Sequence, residues 1–310
     1  MTRGTPIAAA GIMLAVATMA ANRDTPGPAG QETGPAFRAG AEAVTVDVAV
    51  RQGGRPVTGL RAEDFQVLDN GVPQAIVDLS YEHLPIDVTV AFDISASVTA
   101  GLLSQLHVAV QELRKDLGRT DRLRLLTFNH RVRRAVDVTD APQAVDAAFE
   151  RIRTGGSSAI FDSIAVALAA PAAADRRHLV VVFSDGQDTS SVNTPSVLLD
   201  IVRRSTPAVC VVLPIPVPTP GSAFALYRPA TDNGREMFLD VAAESGGLVV
   251  AMGARESLPG AFRRAFTEFR SSYVLHFVPT GVDSGGVHEL SVRVRRDNVE
   301  VRARSNYVRK

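Results

Sequence analysis

The sequence is poor in the residues on which several common functions depend. Its 310 residues include a single cysteine, Cys210, no tryptophan, and only 5% aromatic residues. One cysteine excludes an intrachain disulfide and a thiolate metal site. Acidic and basic residues are equal in number, at 33 each. Nucleic-acid-binding surfaces combine basic charge with stacking aromatic rings, so this composition argues against that function.

Catalytic motifs are also missing from the sequence. It contains no G-x-S-x-G, H-E-x-x-H, G-x-G-x-x-G or P-loop pattern. The six histidines are scattered along the chain without the spacing of metal ligands. We therefore expect no enzyme activity, and a hydrolase that uses a bound cation as Lewis acid is the weaker alternative.

The first 21 residues have the order of a secretory signal peptide: Arg3, then a short apolar stretch, then small residues. Residues 22–41 are rich in Gly, Pro and polar residues and predict a disordered linker. A membrane span needs about 20 apolar residues, and no later stretch reaches that length. We expect an exported protein, periplasmic, secreted or at the cell surface. An N-terminal anchor or a wrongly assigned start are the alternatives.

Segments near the two ends of the chain alternate apolar and polar residues. This period of two appears at 43–50, 288–296 and 299–303. Strict alternation predicts strands with one dry and one solvated face, as in antiparallel sheets. Neither end alone has enough strands for stability, so we expect the two to pair into one small β module.

The middle of the chain instead alternates continuous apolar runs with helical spacing. Runs of this kind predict parallel strands buried on both faces, and they occupy 87–92, 124–128, 178–183 and 208–213. Apolar residues three or four apart predict helices at 102–117, 142–152, 160–173, 196–205, 235–245 and 258–269. Residues 131–138 predict an antiparallel edge strand. Together these patterns predict an α/β fold, a doubly wound, mostly parallel sheet flanked by helices, with the small antiparallel β module added.

These patterns also predict domain boundaries. We place the N-terminal β segment at 42–84, the α/β domain at 85–270 and the C-terminal β segment at 271–310. Cys210 falls inside a predicted strand and is expected to be a buried core residue.

Polar residues follow two of the predicted parallel strands where each strand ends. Asp93 is followed by Ser95 and Ser97, and Asp185 follows a later strand. A glycine-rich turn with hydroxyls, 154–163, opens a helix between them. Carboxyl ends of parallel strands meet at one edge of the sheet, so these oxygens should converge. An all-oxygen set suits Mg²⁺, Mn²⁺ or Ca²⁺. In the alternative interpretation, Asp93 only caps the following helix.

At these residues the chain resembles the von Willebrand factor A domain. In that family a D-x-S-x-S element, a Thr of a second loop and an Asp of a third form the metal-ion-dependent adhesion site. The resemblance implies a divalent cation, most simply Mg²⁺, with one ligand from each matching position: Asp93, Ser95, Ser97, Ser158 and Asp185. Ser158 takes the place of the Thr, with Ser157 as the less favoured choice.

The flanking segments resemble a bacterial, exported subgroup of these proteins, at residues 54–76 and in the ending "VEVRARSNYV". The resemblance implies an exported adhesion or scaffolding module without catalysis, in which a protein partner's Asp or Glu completes the coordination of the cation. The alternative is a structural module whose metal site is vestigial.

Two further stretches suggest contact surfaces. Prolines alternate in the long segment 213–234, and we hypothesise that Phe224, Leu226 and Tyr227 form a partner-binding rim. Arginines alternate with valines near the C terminus, which predicts a solvated strand face; contact with an acidic partner or polysaccharide is the alternative.

Overall fold

A computed structural model describes residues 43–81, 84–139, 142–171, 173, 175–214, 232–253 and 256–309. Those residues all belong to one compact unit. The predicted signal peptide, the predicted linker and the three predicted rim residues lie outside the described residues: 1–21, 22–41, Phe224, Leu226 and Tyr227.

The described part of the chain forms fifteen strands, six α-helices and one short 3₁₀ helix, Ala62–Asp64. The strands are β1 (Val44–Gln52), β2 (Arg55–Pro56), β3 (Phe65–Asp69), β4 (Val72–Gln74), β5 (Ile76–Tyr81), β6 (Ile86–Asp93), β7 (Arg122–Phe128), β8 (Val132–Thr139), β9 (Arg177–Phe183), β10 (Ala208–Pro214), β11 (Val249–Met252), β12 (Tyr273–Phe277), β13 (Gly286–Val294), β14 (Glu300–Arg302) and β15 (Asn306–Arg309). The helices are α1 (Ala100–Asp116), α2 (Pro142–Arg151), α3 (Ile160–Leu168), α4 (Pro195–Arg204), α5 (Asp232–Ser245) and α6 (Leu258–Arg270).

Six strands form the central sheet in the order β11-β10-β9-β6-β7-β8. Five run parallel, and β8 pairs antiparallel with β7 as the edge strand. Every residue of β6, β9 and β10 is buried, because helices cover both faces of the sheet. The core on one face draws on α1, α2 and α6, and the core on the other draws on α3, α4 and α5. The doubly wound α/β fold is confirmed, with Cys210 buried in β10.

The elements differ from the sequence patterns at two places. Helix α3 ends at Leu168 instead of 173, because Pro171 disfavours helical backbone at the residue before it. Strand β11 has only four residues and no continuous apolar run long enough to distinguish it from loop. It nonetheless extends the central sheet beside β10.

The two ends of the chain form the predicted antiparallel β module, as two small sheets. One has the order β14-β1-β12-β5 with β2 on its edge, and the other has the order β15-β13-β3-β4. Alternate valines of β1, Val46, Val48 and Val50, are buried with Tyr273 and Phe277 in one shared core. The pairing of β1 with β12 explains why neither segment suffices alone. The exact domain boundaries stay a prediction.

A buried arginine joins the β module to the central sheet. Arg177, at the start of β9, donates to Oδ1 of Asp47 on β1 at 2.7 Å. It also donates to the backbone oxygen of Phe269 at 2.7 Å and to the hydroxyl of Ser272 at 2.6 Å. Its side chain is 4% exposed, so these partners satisfy a charge that water does not reach.

Within the described residues, no helix has both the length and the apolar character needed to cross a bilayer.

The winding of the central sheet reverses at β6. The chain passes from β6 to β7 on one side, and β9 later pairs with β6 on the other side. Loops that leave a sheet on opposite sides open a crevice at the carboxyl ends of the strands, and ligands of open α/β sheets bind there. Asp93 and Asp185 lie at this switch point.

Candidate metal site

The first loop of the site begins at Asp93, the last residue of β6, which is fully buried. Its Oδ1 accepts a hydrogen bond of 2.7 Å from the backbone nitrogen of Ser95, a turn geometry that Asp favours. Ile94 is 6% exposed and packs into the core. Thr99, and not Asp93, caps α1, because its hydroxyl accepts from the nitrogen of Leu102 at 3.2 Å. The carboxylate of Asp93 is therefore not used as a helix cap.

The third loop follows β9, the neighbour of β6 in the sheet. Ser184 directly follows Phe183, which pairs with Phe92, so the loop leaves the sheet beside Asp93. The hydroxyl of Ser184 donates to Oδ2 of Asp93 at 3.0 Å. Oδ1 of Asp185 accepts from the nitrogen of Gln187 at 3.0 Å. The two carboxylates are thus brought to one place by adjacent parallel strands.

Ser95 and Ser97 connect the first loop to the third. The hydroxyl of Ser97 donates to Oδ2 of Asp185 at 3.2 Å. The hydroxyls of Ser95 and Ser97 are 3.1 Å apart. Because the proton of Ser97 is given to Asp185, Ser95 is the donor in the second contact. Both serines then present oxygen lone pairs at the crevice.

The second loop requires glycine at two positions. Gly155 and Gly156 have φ of +146° and +86°, values that side chains with a Cβ rarely adopt. The backbone oxygen of Gly156 accepts from the nitrogen of Ala96 at 2.9 Å, and the nitrogen of Gly155 donates to Ile94 oxygen at 2.8 Å. A Cβ on Gly156 would lie 2.5 Å from Nδ1 of His130. These contacts fix the second loop against the first.

Ser158 reaches the carboxylate pair from this second loop. Its hydroxyl donates to Oδ2 of Asp93 at 2.7 Å, and the residue is 4% exposed. Ser157 is exposed to solvent. The structure therefore brings together all the residues predicted as ligands, and Ser158 instead of Ser157 contacts Asp93. Their assignment as ligands stays a prediction.

Two further carboxylates cross-brace the second and third loops. Asp188 of the third loop accepts from the nitrogens of Ile160 and Phe161 at 2.7 and 3.3 Å, and so caps α3 from another loop. Asp162 of α3 accepts in return from the nitrogens of Val192 and Asn193, both at 2.9 Å. Both carboxylates thus accept from backbone amides of the other segment, and we assign them the role of holding the two loops together.

Burial dominates the electrostatics of the carboxylate pair. Burial raises the pKa of the Asp93 carboxyl above its ordinary value, and the charge of Asp185 raises it too, while bonds from Ser158 and Ser95 oppose the shift. Burial likewise raises the pKa of Asp185. Among the described residues, no Lys, Arg or His forms an ion pair with either carboxylate. Buried carboxylates without a cationic partner are destabilised in their charged form.

The donor set fits a hard divalent cation. It consists of two carboxylates and three hydroxyls, all oxygen, as Mg²⁺ and Mn²⁺ prefer. A hydroxyl has one proton and two lone pairs, so each serine can donate its proton to a neighbouring oxygen and still bind a cation. The described residues contain no cluster of three or more His, Cys, Asp or Glu suited to a metal.

Sequence patterns missed three residues of this edge. Ser184 bonds Asp93, and Asn129 donates from Nδ2 to the backbone oxygen of Gly155 at 2.7 Å. Val192, on the third loop, is 89% exposed. Ser184 and Asn129 each directly follow a predicted strand, and that position is the signal that could have identified them. Nothing in the sequence marks Val192.

Comparison of the sequence with protein-family models identifies the family of the central region. Residues 88–187 match the family model of the von Willebrand factor type A domain. The chain contains a von Willebrand factor type A domain. The matched range contains Asp93, Ser158 and Asp185, and the central sheet extends the domain beyond it. No curated protein matches the chain.

Several solved structures are similar in fold to this chain. The conserved hypothetical protein BatB from Bacteroides thetaiotaomicron has 17% identity and a TM-score of 0.46, and the match covers 59% of this chain and 98% of BatB. A von Willebrand factor type A protein from Catenulispora acidiphila has 11% identity and a TM-score of 0.48, covering 88% and 76% of the two chains. Proximal thread matrix protein 1 from the mussel byssus, described with a zinc-occupied MIDAS motif, has 13% identity and a TM-score of 0.47, covering 64% and 48%.

Proposed function

We propose that this protein is an exported, metal-dependent protein-binding module. A divalent cation, most simply Mg²⁺, is held by Asp93, Ser95, Ser97, Ser158 and Asp185. An Asp or Glu of a partner protein completes its coordination. The module has no catalytic activity of its own and serves adhesion or scaffolding.

One observation supports this proposal above the others. Side chains from three separate loops meet around two buried carboxylates that have no basic partner among the described residues. The links are Ser158 to Asp93 at 2.7 Å, Ser184 to Asp93 at 3.0 Å and Ser97 to Asp185 at 3.2 Å. Such a cluster is unfavourable while both carboxylates are ionised, and a cation bound between them removes the penalty.

The residues of such a site have two roles, because some supply charge and others fix the positions of the ligands. Asp93 and Asp185 supply the negative charge that holds the cation, and the hydroxyls of Ser95, Ser97 and Ser158 supply neutral oxygens. Neutral hydroxyls do not cancel the positive charge of a bound cation. The cation therefore still attracts a carboxylate from a partner. Gln187 and Ser184 fix Asp185 and Asp93 by hydrogen bonds. The loops therefore arrive at the right positions before any ligand binds, which lowers the entropy lost on binding.

Export rests on the sequence of the first 21 residues, whose order matches a signal peptide. A location outside the cytoplasm, in the periplasm or at the cell surface, suits a module that binds partners through a metal. Export is checked by fractionating cells that express the full chain.

Isothermal titration calorimetry with MgCl₂ and MnCl₂ tests the metal site. The full chain should bind one cation saturably, and Asp93→Asn should weaken binding by at least about a hundredfold, since it removes a charge at the centre of the donor set. Asp78→Asn is the matched control, because Asp78 is an exposed carboxylate of β5. Wild-type protein without saturable binding would overturn the proposal.

A structural module with a vestigial site is the second candidate. The observation in its favour is that hydroxyls of Ser158, Ser184 and Ser97 already satisfy the two carboxylates by hydrogen bonds. This candidate predicts that Mg²⁺ leaves the thermal midpoint unchanged. The metal-binding candidate predicts a midpoint that rises with Mg²⁺ concentration, by mass action.

A further inference from the structure

Four arginines lie on the two elements that border the second loop of the site, β8 and α2. Arg131 and Arg133 flank the first residue of β8, and Arg151 and Arg153 lie at the end of α2 and just beyond it. All four are exposed. We call these four residues the basic rim.

The charges of the basic rim have no carboxylate partner among the described residues. Arg153 donates to the backbone oxygens of Glu150 and Ile152 at 2.8 and 2.9 Å, which fixes its guanidinium at the end of α2. The neighbouring Arg134 differs, since it pairs with Asp137 at 3.2 Å. The basic rim therefore has four positive charges, against one exposed carboxylate beside it, that of Glu150.

The register of the sheet places this rim beside the carboxylate pair. Asp93 pairs with Phe128, and Phe128 pairs with Val132, the residue between Arg131 and Arg133. Two strand spacings separate Val132 from Asp93, a distance of about 10 Å between Cα atoms. On the other flank, Arg153 lies two residues before Gly155, whose backbone contacts Ile94 of the first loop.

The charge around the site is distributed unevenly. The first loop, 94–99, and the second loop, 152–159, contain no acidic residue. On the third loop, Asp188 accepts hydrogen bonds from backbone nitrogens of α3. The most exposed apolar side chain of the third loop is Val192. A partner that approaches the cation therefore meets positive charge only on the side of β8 and α2, as far as the described residues extend.

We infer that the partner presents an acidic segment, in which residues next to the metal-binding carboxylate are also Asp or Glu and contact the basic rim. This inference rests on the proposed function and names the chemistry of its partner. The backbone of Val132, between Arg131 and Arg133, lies about one Debye length from that of Asp93. The charges of the basic rim therefore act on residues near the coordinating carboxylate and not on the whole partner. They raise the association rate and set the direction of the bound segment.

Two synthetic peptides test the inference on the full chain with Mg²⁺ present. One contains a single glutamate among glycines and serines, and the other has the same glutamate followed by four aspartates. Fluorescence anisotropy should show binding of both, with the acidic peptide at least about tenfold tighter, since several surface charge pairs act together. Arg131→Glu/Arg133→Glu should remove that difference and leave Mg²⁺ affinity unchanged by calorimetry.

A control with the same change of charge separates local from global effects. Arg293→Glu/Arg295→Glu alters two exposed arginines of the β module, Arg293 in β13 and Arg295 just after it, and it should keep the preference for the acidic peptide. Equal binding of the two peptides by the wild type would overturn the inference while the proposed function stands. Failure of both peptides with Mg²⁺ bound would count against the proposed function itself.

Discussion

The hydroxyl of Ser158 donates a hydrogen bond of 2.7 Å to Oδ2 of Asp93, across 65 residues of sequence. Ser158 lies on a loop between two helices, and Asp93 ends a strand. This hydrogen bond therefore forms only when the second loop packs against the first loop. Ser158 is also the residue for which the sequence left Ser157 as the alternative.

Substitution of Ser158 should change metal affinity without unfolding the protein. Ser158→Ala removes a proposed ligand oxygen and the hydrogen bond that positions Asp93, so Mg²⁺ affinity should fall by about 10- to 100-fold in calorimetry. Ser158→Thr keeps the hydroxyl and restricts its rotamer, and it should bind at least as tightly as wild type. Ser157→Ala, at the exposed neighbouring hydroxyl, is the control. Equal affinity of Ser158→Ala and wild type would exclude Ser158 as a ligand.

Asp188 should contribute to stability through its cap on α3. Its Oδ1 accepts from the nitrogen of Ile160 at 2.7 Å and ties the third loop to the second. Asp188→Ala should lower the free energy of unfolding by about 1–2 kcal/mol, as loss of a helix cap does, measured by urea denaturation. Metal affinity should fall as well because the two loops are no longer held together. An unchanged midpoint in urea would show that the cap is redundant.

The buried pair of Arg177 and Asp47 should contribute more than any exposed pair. Arg177→Met leaves the carboxylate of Asp47 without its partner and the oxygen of Phe269 without its donor. Removing one member of a buried pair destabilises by about 3–5 kcal/mol, which urea denaturation resolves. Arg204→Met breaks an exposed pair with Asp200 within α4 and should cause no resolvable change. Similar effects of the two substitutions would contradict the structural role of Arg177.

His178 should make stability depend on pH in the acid range. Burial lowers the pKa of its imidazole from 6.5 to about 4, with Arg124 adding to the shift and Asp87 opposing it. Between those values the unfolded chain binds a proton that the folded protein does not, so protonation favours unfolding. Its contribution to stability is therefore complete above pH 6.5 and is lost as pH falls towards 4, by on the order of 3 kcal/mol.

Chemical denaturation at a series of pH values measures this effect. His178→Gln should flatten the fall in stability between pH 6.5 and 4, since glutamine does not titrate. His130→Gln, at an exposed histidine, should keep the wild-type slope. A wild-type slope in His178→Gln would assign the pH dependence to other groups.

The fold could be predicted from the sequence largely because burial leaves a simple pattern. Strands covered on both faces, such as 87–92 and 178–183, must be apolar at every position. Strand β11 was not predicted because four residues are too few to show a hydrophobic period. The end of α3 was misplaced because alanines continue its helical pattern up to Pro171, and the proline decides where the helix stops.

The candidate site was predictable where it depends on strand ends and less so where it depends on loop docking. Asp93 and Asp185 follow apolar runs, so topology alone brings them together. The choice between Ser157 and Ser158 depends on the path of two glycines with positive φ, which local sequence does not determine. The roles of Asp162 and Asp188 depend on contacts between loops, and each braces the other's segment instead of its own.

The fixed C-terminal end of α6 limits how binding could be transmitted through the molecule. Arg177 holds the backbone oxygen of Phe269, Arg270 pairs with Asp121, and Glu268 pairs with Arg51. A helix fixed at its last turn by one buried hydrogen bond and two ion pairs cannot slide along its axis without breaking them. A movement of α6 that keeps these contacts is therefore a pivot about its last turn, and such a pivot displaces the first turn, near Leu258, most.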